Sequence, residues 1–422
     1  MDISKYKEAL QKISFLKDYS ALLVPVVIGL IAVVLLILSP LMSGKLVGQI
    51  TRESISMGKR LRSLSNDVVS RNQWEVAQQY QKDYGRDANQ IALLTKQSTQ
   101  RQLLSYEIFP EPKDTSVLIF EQFSRRYRDA LEKLIVRMNA LDCPTDVELD
   151  RSLRRLKPGG RRSMKNSPIE LMMFSLPGTS ARSGGVEAKI TDILCREKAE
   201  SASVYANATG LIGYKFWEEY KYTGMKEDVE NCWYWQLAYW IVEDVVDTIR
   251  SLNSGSNTVY TSPVKRLLGV SFVKEEGGLR RRTAGKKCSY VRSMEEELTT
   301  SFTGRVCNDD IDVVHFNVTV VVSAKAVLPF MKELCSGKQH KFNGYFGHDD
   351  EQIFEHNQIT ILEYDVASID RQDMDHNLYR YGEDAVVKLN VVCEYIFAKN
   401  GYDVIKPESV KESLKEASGT GR

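Results

Sequence analysis

Residues 19 to 44 carry no charge, and Ala21 to Met42 is almost wholly apolar (ALLVPVVIGLIAVVLLILSPLM). At about 1.5 Å rise per residue, such a segment is long enough as a helix for the roughly 30 Å hydrocarbon core of a bilayer. A cleaved signal peptide fits less well. Its apolar region is shorter, and Leu41 and Ser43 make a poor small-x-small site. A core helix of a globular protein is rarely apolar on every face over this length. The reading is a single-pass protein with a signal-anchor: a cytoplasmic stub at 1–20, a transmembrane helix at 21–43, and the rest of the chain beyond it. Lys5, Lys7, Lys12 and Lys17 on one flank nearly cancel Lys45, Arg52, Lys59 and Arg60 on the other. The preference for an inside N-terminus therefore follows from the shortness of the stub more than from flanking charge.

A chain of 422 residues can hold more than one domain. Its formal net charge of +1 gives no hint of a nucleic-acid partner. The seven cysteines are scattered without a CxxC pair, which excludes a zinc ribbon and a thioredoxin-like motif.

Beyond the apolar run, Val47, Ile50, Met57, Leu61, Leu64 and Val68 keep the alternating 3/4 spacing of a heptad, with Ser54 in one seam position. The phase slips near Arg71–Glu75 and resumes through Ala77, Tyr80, Tyr84, Ile91 and Leu94. Pro110 and Pro112 end this helix, and a second helical pattern follows from Val117 to about Leu141. Together they read as a helical coiled-coil stalk over 44–156. Residues 157–226 read as an irregular linker or small subdomain.

From Glu227 the pattern sharpens. A helix to Leu252 has a stripe of Ala238, Ile241, Val245, Ile249 and Leu252. Its extra aromatics, Trp233, Tyr234, Trp235, Tyr239 and Trp240, suit either a core or a partner surface. Strands follow at Val264–Val273 and Asp312–Ser323, separated by a polar insertion at 274–310. A short helix around Val327–Leu334 leads to strands at Asn357–Ile369 and Asp384–Ala398. The expected fold class is α+β: the transmembrane helix, the stalk, and a ferredoxin-like αββαββ domain at 227–398. In that domain two helices cover one face of a four-stranded antiparallel sheet whose other face is wet. Residues 399–422 read as a flexible tail.

The segments VHFNVTVVVSAKAVLPFMKEL (Val314–Leu334), NQITILEYDVASID (Asn357–Asp370) and YGEDAVVKLNVVCEYIF (Tyr381–Phe397), set behind a span and a stalk, resemble the PilO family of type IV pilus assembly proteins. The type II secretion protein M family is similar in plan. The resemblance covers about half the chain by architecture, and residues 107–226 and 274–310 have no counterpart in it. It implies a non-enzymatic, membrane-anchored scaffold at the inner membrane with its C-terminal part periplasmic. Dimerisation, with itself or another chain, would use the coiled coil and the C-terminal domain, and other pilus or secretion platform subunits would be partners. A membrane-tethered extracytoplasmic sensor is the alternative.

No Walker, dinucleotide or nucleophile-elbow motif is present in the sequence. His340, His348, His356 and His376, with Asp349, Asp350, Glu351 and Glu355, are the one concentration of ligand-type residues. Their spacing fits no helical two-histidine site, and the segment reads as a polar loop. No catalytic residue, metal ligand or cofactor is assigned.

Overall fold

The computed structural model describes residues 20–66, 71–156, 183–272, 287–293, 298–300 and 302–419. The stub expected at 1–20 and the basic linker at 157–166 lie outside these residues, save for Ser20. The chain divides into two compact units, 1–87 and 88–422.

The first unit is helical. Helix α1 (Ser20–Ile50) passes through a π-helical turn (Thr51–Ile55) into α2 (Ser56–Asn66), and α3 (Arg71–Thr99) is shared between the two units. Among the described residues no helix is long and apolar enough to cross a membrane. The side chains of Ala21–Val24, Leu38, Leu41 and Met42 lie outside those described. The transmembrane helix expected at 21–43, the signal-anchor and the single-pass inner-membrane location are corrected accordingly.

In the second unit the organising element is α8 (Met225–Leu252). Cys232, Trp233, Trp235, Leu237, Ala238, Trp240, Ile241, Val245 and Ile249 are all buried, because neighbours surround the helix instead of leaving one side wet. These neighbours are α4 (Leu118–Arg137), β3 (Val264–Ser271), α9 (Val327–Leu334) and α11 (Glu408–Gly419). The aromatics that suited either a core or a partner surface are core: Trp233 and Trp235 are fully buried and Tyr239 packs against the same cluster. Helix α4, which α5 (Asp146–Leu156) follows in the chain, contributes Phe120, Phe123, Tyr127, Leu131 and Leu134 to it. Gly213, which precedes the one-turn helix α7 (Tyr214–Glu218), has φ 83°, and an added Cβ would lie 2.8 Å from the Trp235 ring. Only glycine combines that backbone with that contact.

The sheet differs from the four-stranded antiparallel layer expected. It is mixed and six-stranded, in the order β1 (Ala140–Leu141), β2 (Val204–Tyr205), β3, β4 (Ile311–Ser323), β8 (Val386–Ala398), β7 (Ile359–Ser368). β1 pairs parallel with β2 and β2 with β3, while the other pairs are antiparallel. Two-residue strands carry no readable alternation, so the sequence had no means of announcing the parallel half. The wet face is also corrected. His315, Asn317 and Thr319 of β4 are buried, as is Val321 on the same side. Val321 packs in a second cluster with Ala199 of α6 (Ser183–Ser201), Ala202 just after it, Tyr205, Val259 and Tyr381. The ferredoxin-like, one-sided αββαββ domain is therefore replaced by a mixed sheet with apolar clusters on both faces.

Two further segments depart from expectation. The polar loop around the histidines is a hairpin, β5 (Lys338–Phe342) and β6 (Gln352–His356). The frayed C-terminal tail includes α10 (Lys399–Tyr402) and α11, with Tyr402, Lys406 and Val410 buried.

Candidate functional site

Two features of the described residues stand out: an apolar helical row without a partner, and a set of buried charges tied into closed networks. Val47, Ile50, Met57, Leu61 and Leu64 are each at least half exposed. The continuity implied by their heptad spacing is broken between Ile50 and Met57. There the Ser56 N–H donates to Thr51 O, five residues back, in the π-helical turn. Thr51 Oγ1 donates to Val47 O at 2.7 Å, and Ser56 Oγ donates to Arg52 O. Hydroxyls returned to the carbonyl four residues back loosen the helical ladder and favour such a bulge. The wider turn rotates Met57, Leu61 and Leu64 out of line with Val47 and Ile50. The apolar stripe is thus two short rows instead of one seam.

In the second unit, Arg101 is buried at the centre of the first network. Its guanidinium makes two parallel 2.9 Å bonds to Asp244 of α8, a third at 2.9 Å to Glu243, and one at 2.7 Å to Tyr395 of β8. The Tyr395 hydroxyl donates to Asp244 at 2.6 Å and lies 2.7 Å from Gln358 Oε1. Burial alone would raise the Asp244 carboxyl, but Arg101 and His356 hold it well below the usual carboxylate range. Burial raises Glu243, against the opposing pull of Arg101. The node joins the chain after α3, helix α8 and strand β8.

A second network gathers on Asp312, which is fully buried. Lys406 Nζ and the Tyr402 hydroxyl both donate to its Oδ2, and Lys399 Nζ stands 3.6 Å from Oδ1. Tyr402 in turn meets the Tyr290 hydroxyl at 3.1 Å, which accepts from Trp233 Nε1 at 2.9 Å. A third pairing, Arg305 and Thr303 on the buried Glu394, holds part of the insertion against the opposite face of β8. In these arrangements each buried carboxylate faces a cation. The carboxylates are held by cations, and the tyrosine hydroxyls are raised by burial.

Of the four histidines noted in the sequence, the hairpin brings His340 and His356 together, with ring centroids 5.2 Å apart. His356 Nε2 stands 3.4 Å from Asp244 Oδ1. His340 Nε2 lies 3.1 Å from Gln100 O. His376 is elsewhere, 2.8 Å from the Tyr381 hydroxyl. Among the described residues, no group of three or more histidines, cysteines and carboxylates is placed to hold a metal ion. Burial, then Arg101 and His356, push His340 down to about 3. The folded state therefore refuses a proton that the unfolded chain takes up below about 6.5. The resulting stabilisation is complete above that value and is lost as the pH falls towards 3, by at most about 1.4 kcal/mol per pH unit. Urea unfolding at a series of pH values should show this loss in the native chain and a shallower one in His340→Gln. Parallel curves would remove His340 as its cause.

Arg101, Asp244, Asp312 and Lys406 were not singled out by sequence reasoning. Asp244 alone left a signal, a carboxylate set among Ile241, Val242, Val245 and Val246 on a helix otherwise suited to burial.

No protein-family model matches the chain, and no curated protein matches it. A solved structure from Akkermansia muciniphila is similar to it at a TM-score of 0.21 and 8% identity, with 67% of this chain and 95% of that chain covered. A likeness of that size carries no argument about fold or function.

Proposed function

We propose that this protein is a non-enzymatic scaffold that works by association with other chains, in an assembly of the type IV pilus or type II secretion kind. The observation that carries the scaffold reading is the exposed apolar row Met57, Leu61 and Leu64. An apolar row on a helix is stable in water when a second helix covers it. The partner we assign is a second copy of the chain, which presents the same row for a self-complementary contact. The internally paired charges of residues 88–422 support the same reading, because they spend their ionic groups on rigidity. The pilus or secretion setting rests on the resemblance of Val314–Leu334, Asn357–Asp370 and Tyr381–Phe397 to PilO-like proteins, and on nothing else.

The test is the mass of the full chain in solution by light scattering. The native protein should associate at micromolar concentration, and the Leu61→Lys, Leu64→Lys double variant should be monomeric with an unchanged thermal transition for the globular part. A monomeric native chain, or a double variant that still associates, would remove the helical row from the function.

A further inference from the structure

Among the described residues, strand β7 is the last strand of the sheet, hydrogen-bonded on one side to β8 and followed by no further strand. Its register slips between Ile361 and Glu363, and beyond that bulge it runs regularly beside Val392 to Val387 of β8. Residues 363 to 368 are exposed, although the β8 residues beside them are mostly covered. An edge of this length with open N–H and C=O groups is a template for another strand. Natural edges commonly block this with proline, lysine or a bulge in the exposed stretch. Here Ile359–Ser368 has no proline or lysine, and the bulge lies ahead of the open part.

Side chains alternate cleanly along this edge. Tyr364 and Val366 lie over Val391 and Leu389, on the face that packs the main core, yet they are 56% and 43% exposed. Glu363 and Asp365 point to the other face beside Val392 and Asn390, and form no ion pair among the described residues. The edge therefore presents an apolar row on one side and a carboxylate row on the other. Pairing with a second copy of itself would gather four carboxylates on one face, which cross-strand electrostatics oppose.

We infer that β7 is a docking edge for an extended segment of a different protein, one that alternates lysine or arginine with apolar residues. Its backbone would continue the sheet beyond β7. Its apolar side chains would cover Tyr364 and Val366, and its cations would lie against Glu363 and Asp365. This deepens the scaffold reading, on which it rests for the existence of partner proteins, by giving a second surface and a different class of partner.

The experiment uses the full chain and a short end-blocked peptide that alternates lysine with valine, beside one alternating glutamate with valine. The lysine peptide should bind and slow amide exchange within Glu363–Ser368. The exposed double variant Glu363→Lys, Asp365→Lys should bind it about tenfold more weakly and gain affinity for the glutamate peptide. An unchanged thermal transition would establish that this variant is folded. Absence of binding, protection elsewhere, or equal binding of both peptides would overturn the assignment. So would loss of self-association on Tyr364→Lys, which would make a second copy the occupant. The Leu61→Lys, Leu64→Lys variant should bind the peptide as the native chain does, so the helical row and the strand edge stand or fall separately.

Discussion

Replacing Arg101 with methionine is expected to destabilise the protein by about 3–5 kcal/mol, the cost of removing one partner from a buried ion pair. The side chain is 2% exposed and so is that of Asp244. Methionine fills much of the space but takes the bidentate cation from Asp244, leaves Glu243 only Arg137 at 3.7 Å, and removes one partner of Tyr395. The buried Asp244 carboxylate would then favour its protonated form on folding, so the loss should shrink as the pH is lowered. Urea unfolding measures it as a shift in midpoint at constant slope. The double variant Arg101→Met, Asp244→Leu should be less destabilised than the two single changes added together, because neither charge is then stranded. A loss below about 1 kcal/mol for Arg101→Met would mean that water reaches the node and that its ionic bonds are surface-like.

The second large effect is expected at Trp233. Substitution by alanine should cost about 3–5 kcal/mol, the range for emptying a buried tryptophan site. Its ring stacks on Tyr402 with centroids 5.6 Å apart and meets Phe109 edge-on at 5.3 Å. Helix α8, the segment before α4 and the C-terminal α10 converge on this one side chain, so the cavity cannot be closed by moving any one of them. The indole N–H also supplies the first bond of the chain through Tyr290 and Tyr402 to Asp312. Trp233→Phe retains most of the ring contact and loses only that donor, and is expected to cost about 1–3 kcal/mol. Thermal and urea unfolding of the two variants separates packing from the hydrogen bond. Equal losses would assign the whole effect to the N–H.

These two positions show how differently parts of this molecule were legible. The aromatic run at 233–240 marked a helix whose aromatics suited either a core or a partner surface, and packing alone made them core. The strands now at Ile311–Ser323 and Val386–Ala398 showed in the sequence because alternation over many residues survives any packing arrangement. The slip at Ile361–Leu362 is likewise the bulge in β7. Arg101 carried no local mark. It follows a helix end and precedes a run of mixed residues, and its partners are contributed by segments more than a hundred residues away.

The N-terminal helix shows the same limit in reverse. Composition set the expectation of a bilayer span there, whereas among the described residues no helix is long and apolar enough to cross a membrane. In the same helical stretch, heptad spacing implied one seam, and the π-helical turn at Thr51–Ile55 divides it through backbone hydrogen bonds that residue spacing does not encode.

What the sequence determined by itself was therefore local: helices and long strands whose periodicity is a property of neighbouring residues. The tertiary structure decided the rest. It set the parallel additions β1 and β2, the covering of both sheet faces, the pairing of the buried charges and the open edge at β7. Each of these depends on which distant segments meet, and an isolated stretch of chain has no energetic preference among such meetings until the apolar surfaces of several elements are buried together.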